Sequence, residues 1–165
     1  NLAETCRKEG SAKVAKITQA EKSERPPALY DLTSLQREAN RILGYTAQQT
    51  LDYTQALYEK KLVTYPRTDS RYLTEDMAGM LPELVVAAAA ACFPDVGAVS
   101  VNAGQVVNNR KVTDHHAIIP TKELQKCTLS GLPKGEAEVL KLIVQRLLTA
   151  VSEPCNTADT TAEIL

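Results

Sequence analysis

The sequence predicts a mainly α protein with short β segments, built around a helix-turn-helix with winged-helix character and flanked by two extended strands. Three observations carry that prediction. Apolar residues recur at helical spacing in four stretches, β-branched residues follow the second of them, and both ends of the chain are threonine-bearing and extended in pattern. At 165 residues the chain can bury one ordinary core with appendages.

The first segment, residues 1–28, places apolar side chains at Val14 and Ile17 and closes at Arg25-Pro26-Pro27, a rigid extended hinge. Thr33 or Ser34 then caps a helix with Leu35, Ala39, Ile42 and Leu43 inward, and Gly44 ends it. Thr46 and Gln49 form a capping box for a second helix with Ala47, Leu51, Thr54 and Tyr58 on one face. The β-branched LVTY after it starts the wing.

From Thr74 a helix carries Glu75 and Asp76 at its positive end and Met77, Met80, Leu81 and Leu84 inside, and Pro82 starts a further helix through Cys92. The stretch from Pro94 to Val112 reads as connection and wing. A helix from about Gly135 to Val151 turns Leu140, Ile143, Leu147 and Val151 to the core. Residues 153–165 return to an extended chain, leaving 29–152 as one helical domain.

The formal net charge of −1 argues against a polycationic nucleic-acid binder, so any contact with DNA must come from local clustering. Lys60, Lys61, Arg67 and Arg71 outnumber Glu59 and Asp69, and Arg110 with Lys111 forms a second basic run. The lysines also read as ordinary solvated charges. Cys6, Cys92, Cys127 and Cys155 lack C-x-x-C spacing, which speaks against zinc. With no signal-peptide pattern they read as reduced thiols of a cytoplasmic protein. No run approaches the ~20 apolar residues that cross a bilayer.

Chemistry concentrates in YEKKLVTYPRTDSR, Tyr58 to Arg71. A phenol is a weak nucleophile near its pKa of ~10, and phosphoryl transfer to it builds negative charge that a fixed guanidinium can absorb. Tyr65 is therefore the candidate nucleophile and Arg67 its electrophilic partner. Asp69 either orients Arg67 or caps the helix near Thr74. Thr68 and Ser70 either donate to phosphate oxygens or cap turns. In Asp114-His115-His116, neighbouring side chains of an extended segment point to opposite faces, so the histidines do not chelate one metal. One of them near a phosphate can act as a hydrogen-bond donor or proton shuttle.

TYPRTDSRYL, with LTSLQREANRILGY before it and TDHHAIIPT after it, resembles the type IA DNA topoisomerases, within them the bacterial topoisomerase III branch. The resemblance covers about Pro26 to Pro120. It implies an ATP-independent isomerase that cuts one DNA strand through a 5′-phosphotyrosine, passes a strand and reseals the gap. It assigns catalysis to Tyr65, Arg67 and His115. The candidate DNA contacts beside them are Gln36, Lys60, Lys61, Thr68, Asp69, Ser70, Arg71 and His116, the last with packing as an equal alternative.

The resemblance further implies a CAP-like tyrosine domain, with residues 1–28 and 153–165 as two legs of an arch-shaped gate domain. Single-stranded DNA and the parent's remaining domains are the implied partners. Mg²⁺ would sit in an acidic pocket of a separate Toprim domain, because this chain has no D-x-D pair and no metal site of its own. The chain, which does not begin with Met, reads as an excised fragment unable to relax supercoils alone. A non-catalytic winged-helix DNA-binding module and a helical protein-interaction domain remain open.

Overall fold

The computed structural model describes Glu4, Arg7, Lys8, Gly10 and residues 13–164, so Cys6 lies outside the described residues. It separates into two compact units, residues 1–25 with 154–165, and residues 26–153.

The first unit is an antiparallel ribbon of β1 (Val14–Glu24) and β2 (Cys155–Ile164), in register from Glu24 opposite Cys155 to Val14 opposite Ile164, with one irregularity between Val14 and Lys16. Every residue of both strands is exposed, Val14 and Ile17 included, and Lys22 forms an ion pair with Asp159 across them. Two strands without a covered face are marginally stable by themselves.

The second unit is helical. Helix α1 (Leu32–Leu43) begins at Asp31 rather than at Thr33 or Ser34: Asp31 accepts from the Ser34 amide at 2.6 Å while Ser34 Oγ accepts from the Asp31 amide at 3.2 Å, a reciprocal capping box. Gly44 ends it in the left-handed conformation at φ 73°, where a Cβ would be strained. Leu35 and Ala39 are buried as expected, whereas Ile42 is 48% exposed.

Helix α2 (Ala47–Glu59) keeps the Thr46/Gln49 capping box, but its buried face is Thr50, Leu51, Thr54 and Leu57. The expected face is thus rotated, with Ala47 and Tyr58 turned out. Buried threonines are tolerated because Thr50 and Thr54 donate to carbonyls four residues back, at 3.0 and 2.6 Å.

Glu75–Met80 is a 3-10 turn running into α3 (Leu81–Cys92), with Pro82 at its start. Met77 and Met80 are only half-buried, while Leu81 and Leu84 are core. Burial pushes the Cys92 thiol up to about 11. The long helix α4 (Lys134–Val151) buries Leu140, Ile143, Leu147 and Val151, as its spacing predicts, and also Val139, Val144 and Leu148. Each such leucine contributes ~1.5–3 kcal/mol by leaving water.

No strand ladder of a wing forms among the described residues of this unit. LVTY instead meets the segment after the histidines through an isolated bridge, Val63 to Pro120, and Thr64 donates its amide to Ile119 O at 2.9 Å. On its other side the same segment bridges Tyr30 through Ile118. Ala117, Ile118, Ile119 and Pro120 thereby form a buried spine between the approach to α1 and the exit from α2. The stretch after Pro94 likewise carries short 3-10 turns and buries Val106 against that framework.

Candidate active site

The chain leaves α2 through a left-handed residue. Lys61 has φ 61°, its amide donates to Tyr58 O at 2.8 Å, and the Leu62 amide donates to Leu57 O at 2.9 Å. This is a Schellman closure with lysine at the position usually given to glycine.

Burial then alternates along the extended segment. Pro66, Thr68 and Ser70 are buried, Arg67 and Asp69 exposed, and Tyr65 half-buried. The inward hydroxyls are already engaged. Thr68 Oγ1 donates to His115 O at 3.0 Å and accepts from the Ser70 amide at 3.1 Å, and Ser70 Oγ donates to Lys111 O at 2.8 Å. Thr68 and Ser70 thus fasten the tyrosine loop to the histidine loop. A phosphate could reach them only by displacing those bonds.

Two rings are in contact with that of Tyr65. Tyr58 meets it edge-on with centroids 5.4 Å apart, and His115 lies 4.4 Å away at a tilt of 47°. No hydrogen bond engages the Tyr65 hydroxyl among the described residues, where no buried side-chain polar atom lacks a partner; the hydroxyl therefore meets solvent.

Arg67 is exposed and free of hydrogen bonds and ion pairs among the described residues. It borders a cleft of about 450 Å³ with His115, Asp31, Asp69 and Asp114. Asp69 fills neither role foreseen for it: its carboxylate accepts from Thr113 Oγ1 at 3.1 Å, and the Glu75 amide is satisfied by Asn109 Oδ1 at 2.8 Å.

The other expected DNA contacts are occupied elsewhere. Lys60 forms an ion pair with buried Glu136, Arg71 Nε donates to Leu29 O at 3.1 Å, and Gln36 Nε2 donates to Ala47 O at 3.0 Å. His116 Nδ1 lies 2.8 Å from Ala117 O, which gives it a structural partner and leaves His115 beside the tyrosine. Lys61 stays exposed. Tyr58, which the sequence reading put on the core face, and the cleft carboxylates of Asp31 and Asp114 were missed as site neighbours. The alternation from Tyr65 to Ser70 was the signal that separates outward from inward groups.

No cluster of three or more His, Cys, Asp or Glu able to hold a metal forms among the described residues. The described side chains do not fit a resident Mg²⁺. What they can do is present, among the described residues, a guanidinium without a partner and an imidazole at one edge of a cleft, with a phenol in ring contact with that imidazole, a set suited to attack on a phosphodiester.

The sequence model of the DNA topoisomerase family matches residues 1–165. Among curated relatives, DNA topoisomerase 3 of Shouchella clausii (strain KSM-K16) is 45% identical over 145 residues, 84% of this chain and 20% of that protein. DNA topoisomerase 3 of Bacillus subtilis (strain 168) is 41% identical over 146 residues, 85% of this chain and again 20% of the relative. The chain thus spans about a fifth of the length of these relatives. Full-length topoisomerase I from Thermotoga maritima superposes with a TM-score of 0.65 at 23% identity, covering 98% of this chain and 27% of that one, a likeness of fold. With its motif blocks and its fold in agreement, the chain belongs to the type IA DNA topoisomerase family, alongside relatives of the topoisomerase 3 kind.

Proposed function

We propose that this chain carries the strand-cleaving tyrosine of a topoisomerase III-like enzyme. The Tyr65 hydroxyl attacks a DNA phosphodiester. A bond forms from Tyr65 Oη to phosphorus, the bond to the 3′ oxygen breaks, and the proton lost from the phenol is passed through solvent to the departing 3′ oxygen, leaving a 5′-phosphotyrosine and a free 3′-hydroxyl. Arg67 holds the phosphate and offsets the charge gained in the transition state. His115, in ring contact with Tyr65, donates a hydrogen bond to the same phosphate. Religation is the reverse, and a strand passed between the two steps changes DNA topology.

The observation that supports this reading is the conjunction at Tyr65: a solvent-meeting hydroxyl and, two residues on, a guanidinium, both without a partner among the described residues, and an imidazole 4.4 Å from the Tyr65 ring. Single-stranded DNA is the proposed substrate, with α1 and α2 as a CAP-like helix-turn-helix facing it and the extended segment in place of a wing. The exposed β1–β2 ribbon is proposed as two legs of a gate domain completed by the rest of the enzyme, which also supplies the acidic Mg²⁺ site. The chain by itself then binds single strands weakly and relaxes no supercoils, and the enzyme works in the cytoplasm.

The test is Tyr65→Phe in the full-length enzyme. One hydroxyl is lost and ring packing is kept, so binding of single strands stays within a few-fold while the covalent adduct disappears from denaturing gels. An adduct that persists removes Tyr65 as nucleophile, and a wild-type enzyme that forms none reduces the chain to a DNA-binding module.

A further inference from the structure

The Tyr65 hydroxyl has no hydrogen bond among the described residues, so nothing polar within the chain fixes where it points. The Tyr65 ring is in contact with two neighbouring rings. One is His115, already placed in the chemistry. The other is Tyr58, whose edge-on geometry of 75° at 5.4 Å is the arrangement that aromatic quadrupoles favour.

Tyr58 has no other evident employment. It is 39% exposed, off the buried face of α2, and its own hydroxyl has no hydrogen bond among the described residues. Its position is nevertheless well defined. It sits one turn before the Schellman closure at Lys61, and Lys60, two residues on, is tied to buried Glu136 of α4. A ring that does not serve the core is thus held by the helix end in edge-to-face contact with the nucleophile's ring.

We propose that Tyr58 is a positioning residue for Tyr65: its ring restricts the Tyr65 side chain to the orientation in which the nucleophile's ring rests against His115. The inference rests on the assignment of Tyr65 as nucleophile. It requires the ring of Tyr58 and not its hydroxyl, which separates it from any role as a proton donor or phosphate ligand. Without the ring, Tyr65 spreads over further rotamers and a smaller share of molecules is ready to react.

Tyr58→Phe and Tyr58→Leu are compared with wild type and Tyr65→Phe in the full-length enzyme, using a 3′-labelled single-stranded oligonucleotide and reading adduct formation at saturating enzyme, affinity and melting temperature. Tyr58→Leu is expected to slow adduct formation by about threefold to tenfold, the range of an aromatic pair interaction. Affinity stays at the wild-type value, the melting temperature falls by no more than the roughly 1–6 °C that one lost ring contact allows, and Tyr58→Phe restores the rate. Wild-type rates in Tyr58→Leu, or an equal loss in Tyr58→Phe, overturn the proposal. So does a loss that appears in affinity or melting temperature instead of rate. An adduct surviving in Tyr65→Phe would sink the underlying assignment instead, so the two failures are distinguishable.

Discussion

Lys60 stands next to the reactive loop and looks from sequence like a phosphate ligand, yet the structure spends its charge internally. Its ammonium pairs with Glu136, whose side chain is 9% exposed against 43% for the lysine. Glu136 also occupies the first turn of α4, where the helix dipole favours an anion. Removing the cation strands a carboxylate that water barely reaches. Loss of one partner from a fully buried pair costs ~3–5 kcal/mol, whereas an exposed pair is worth ~0.2–1. With one partner half in solvent, Lys60→Met should cost about 2 kcal/mol, a fall in melting temperature of roughly 4–8 °C. Adding Glu136→Met should recover most of it, since an apolar pair of similar volume replaces the ion pair. Circular dichroism melts of the single and double variants read this directly. DNA titrations over a salt series supply the other half: Lys60→Met leaves the salt dependence of single-strand binding unchanged, whereas Arg67→Ala lowers its slope by about 0.7, one phosphate contact. A Lys60→Met variant that melts within about one degree of wild type and loses salt-dependent affinity would refute the pairing argument.

Arg67→Lys in the full-length enzyme should slow cleavage at least tenfold, about 1.4 kcal/mol, because an ammonium lacks the planar fork that grips a phosphate; a wild-type rate would leave Arg67 an ordinary surface charge. His115→Ala should slow adduct formation more than His116→Ala, whose effect falls on stability by about 0.5–1.5 kcal/mol through the lost bond to Ala117 O; equal small effects on cleavage would make both histidines structural. Alkylation mapped by mass spectrometry at pH 8 should label exposed Cys155 and spare buried Cys92, whose thiol is pushed up to about 11. At that pH only about one Cys92 in a thousand is a thiolate, and labelling of Cys92 in the native protein would contradict its burial.

The helices were legible because their caps and periodicities act locally. The Thr46/Gln49 box and the apolar rows of α4 need no tertiary information. Two errors came from the same kind of competition. At α1 the expected caps were Thr33 and Ser34, whereas Asp31, which the expectation passed over, starts the helix through its reciprocal bonds with Ser34. At α2 Leu51 and Thr54 are buried as expected, but Thr50 and Leu57 take the places expected for Ala47 and Tyr58, and the Thr50 hydroxyl is accommodated by its bond to Thr46 O. The wing failed for a non-local reason. Val63 and Thr64 found their partners in Ala117, Ile119 and Pro120, over fifty residues along the chain, and no short-range pattern announces that.

The chemistry was legible in part, and the part that was missed follows from one geometric fact. An extended chain sends alternate side chains to opposite faces, so the polar cluster from Arg67 to Arg71 cannot all face one ligand. The odd positions Arg67 and Asp69 look outward, and the even positions Thr68 and Ser70 look inward to His115 O and Lys111 O. Those inward bonds join the tyrosine loop to the histidine loop, and so they help bring His115 to the ring of Tyr65. The buried hydroxyls therefore matter to the site without touching a substrate. Arg71, half-buried and donating to Leu29 O, breaks the simple alternation because the Nε of a long side chain can reach back to a carbonyl that a threonine could not. A lysine at that position would lose this directed bond while keeping its charge, which makes Arg71 part of the scaffold and leaves Arg67 as the guanidinium free to meet a phosphate.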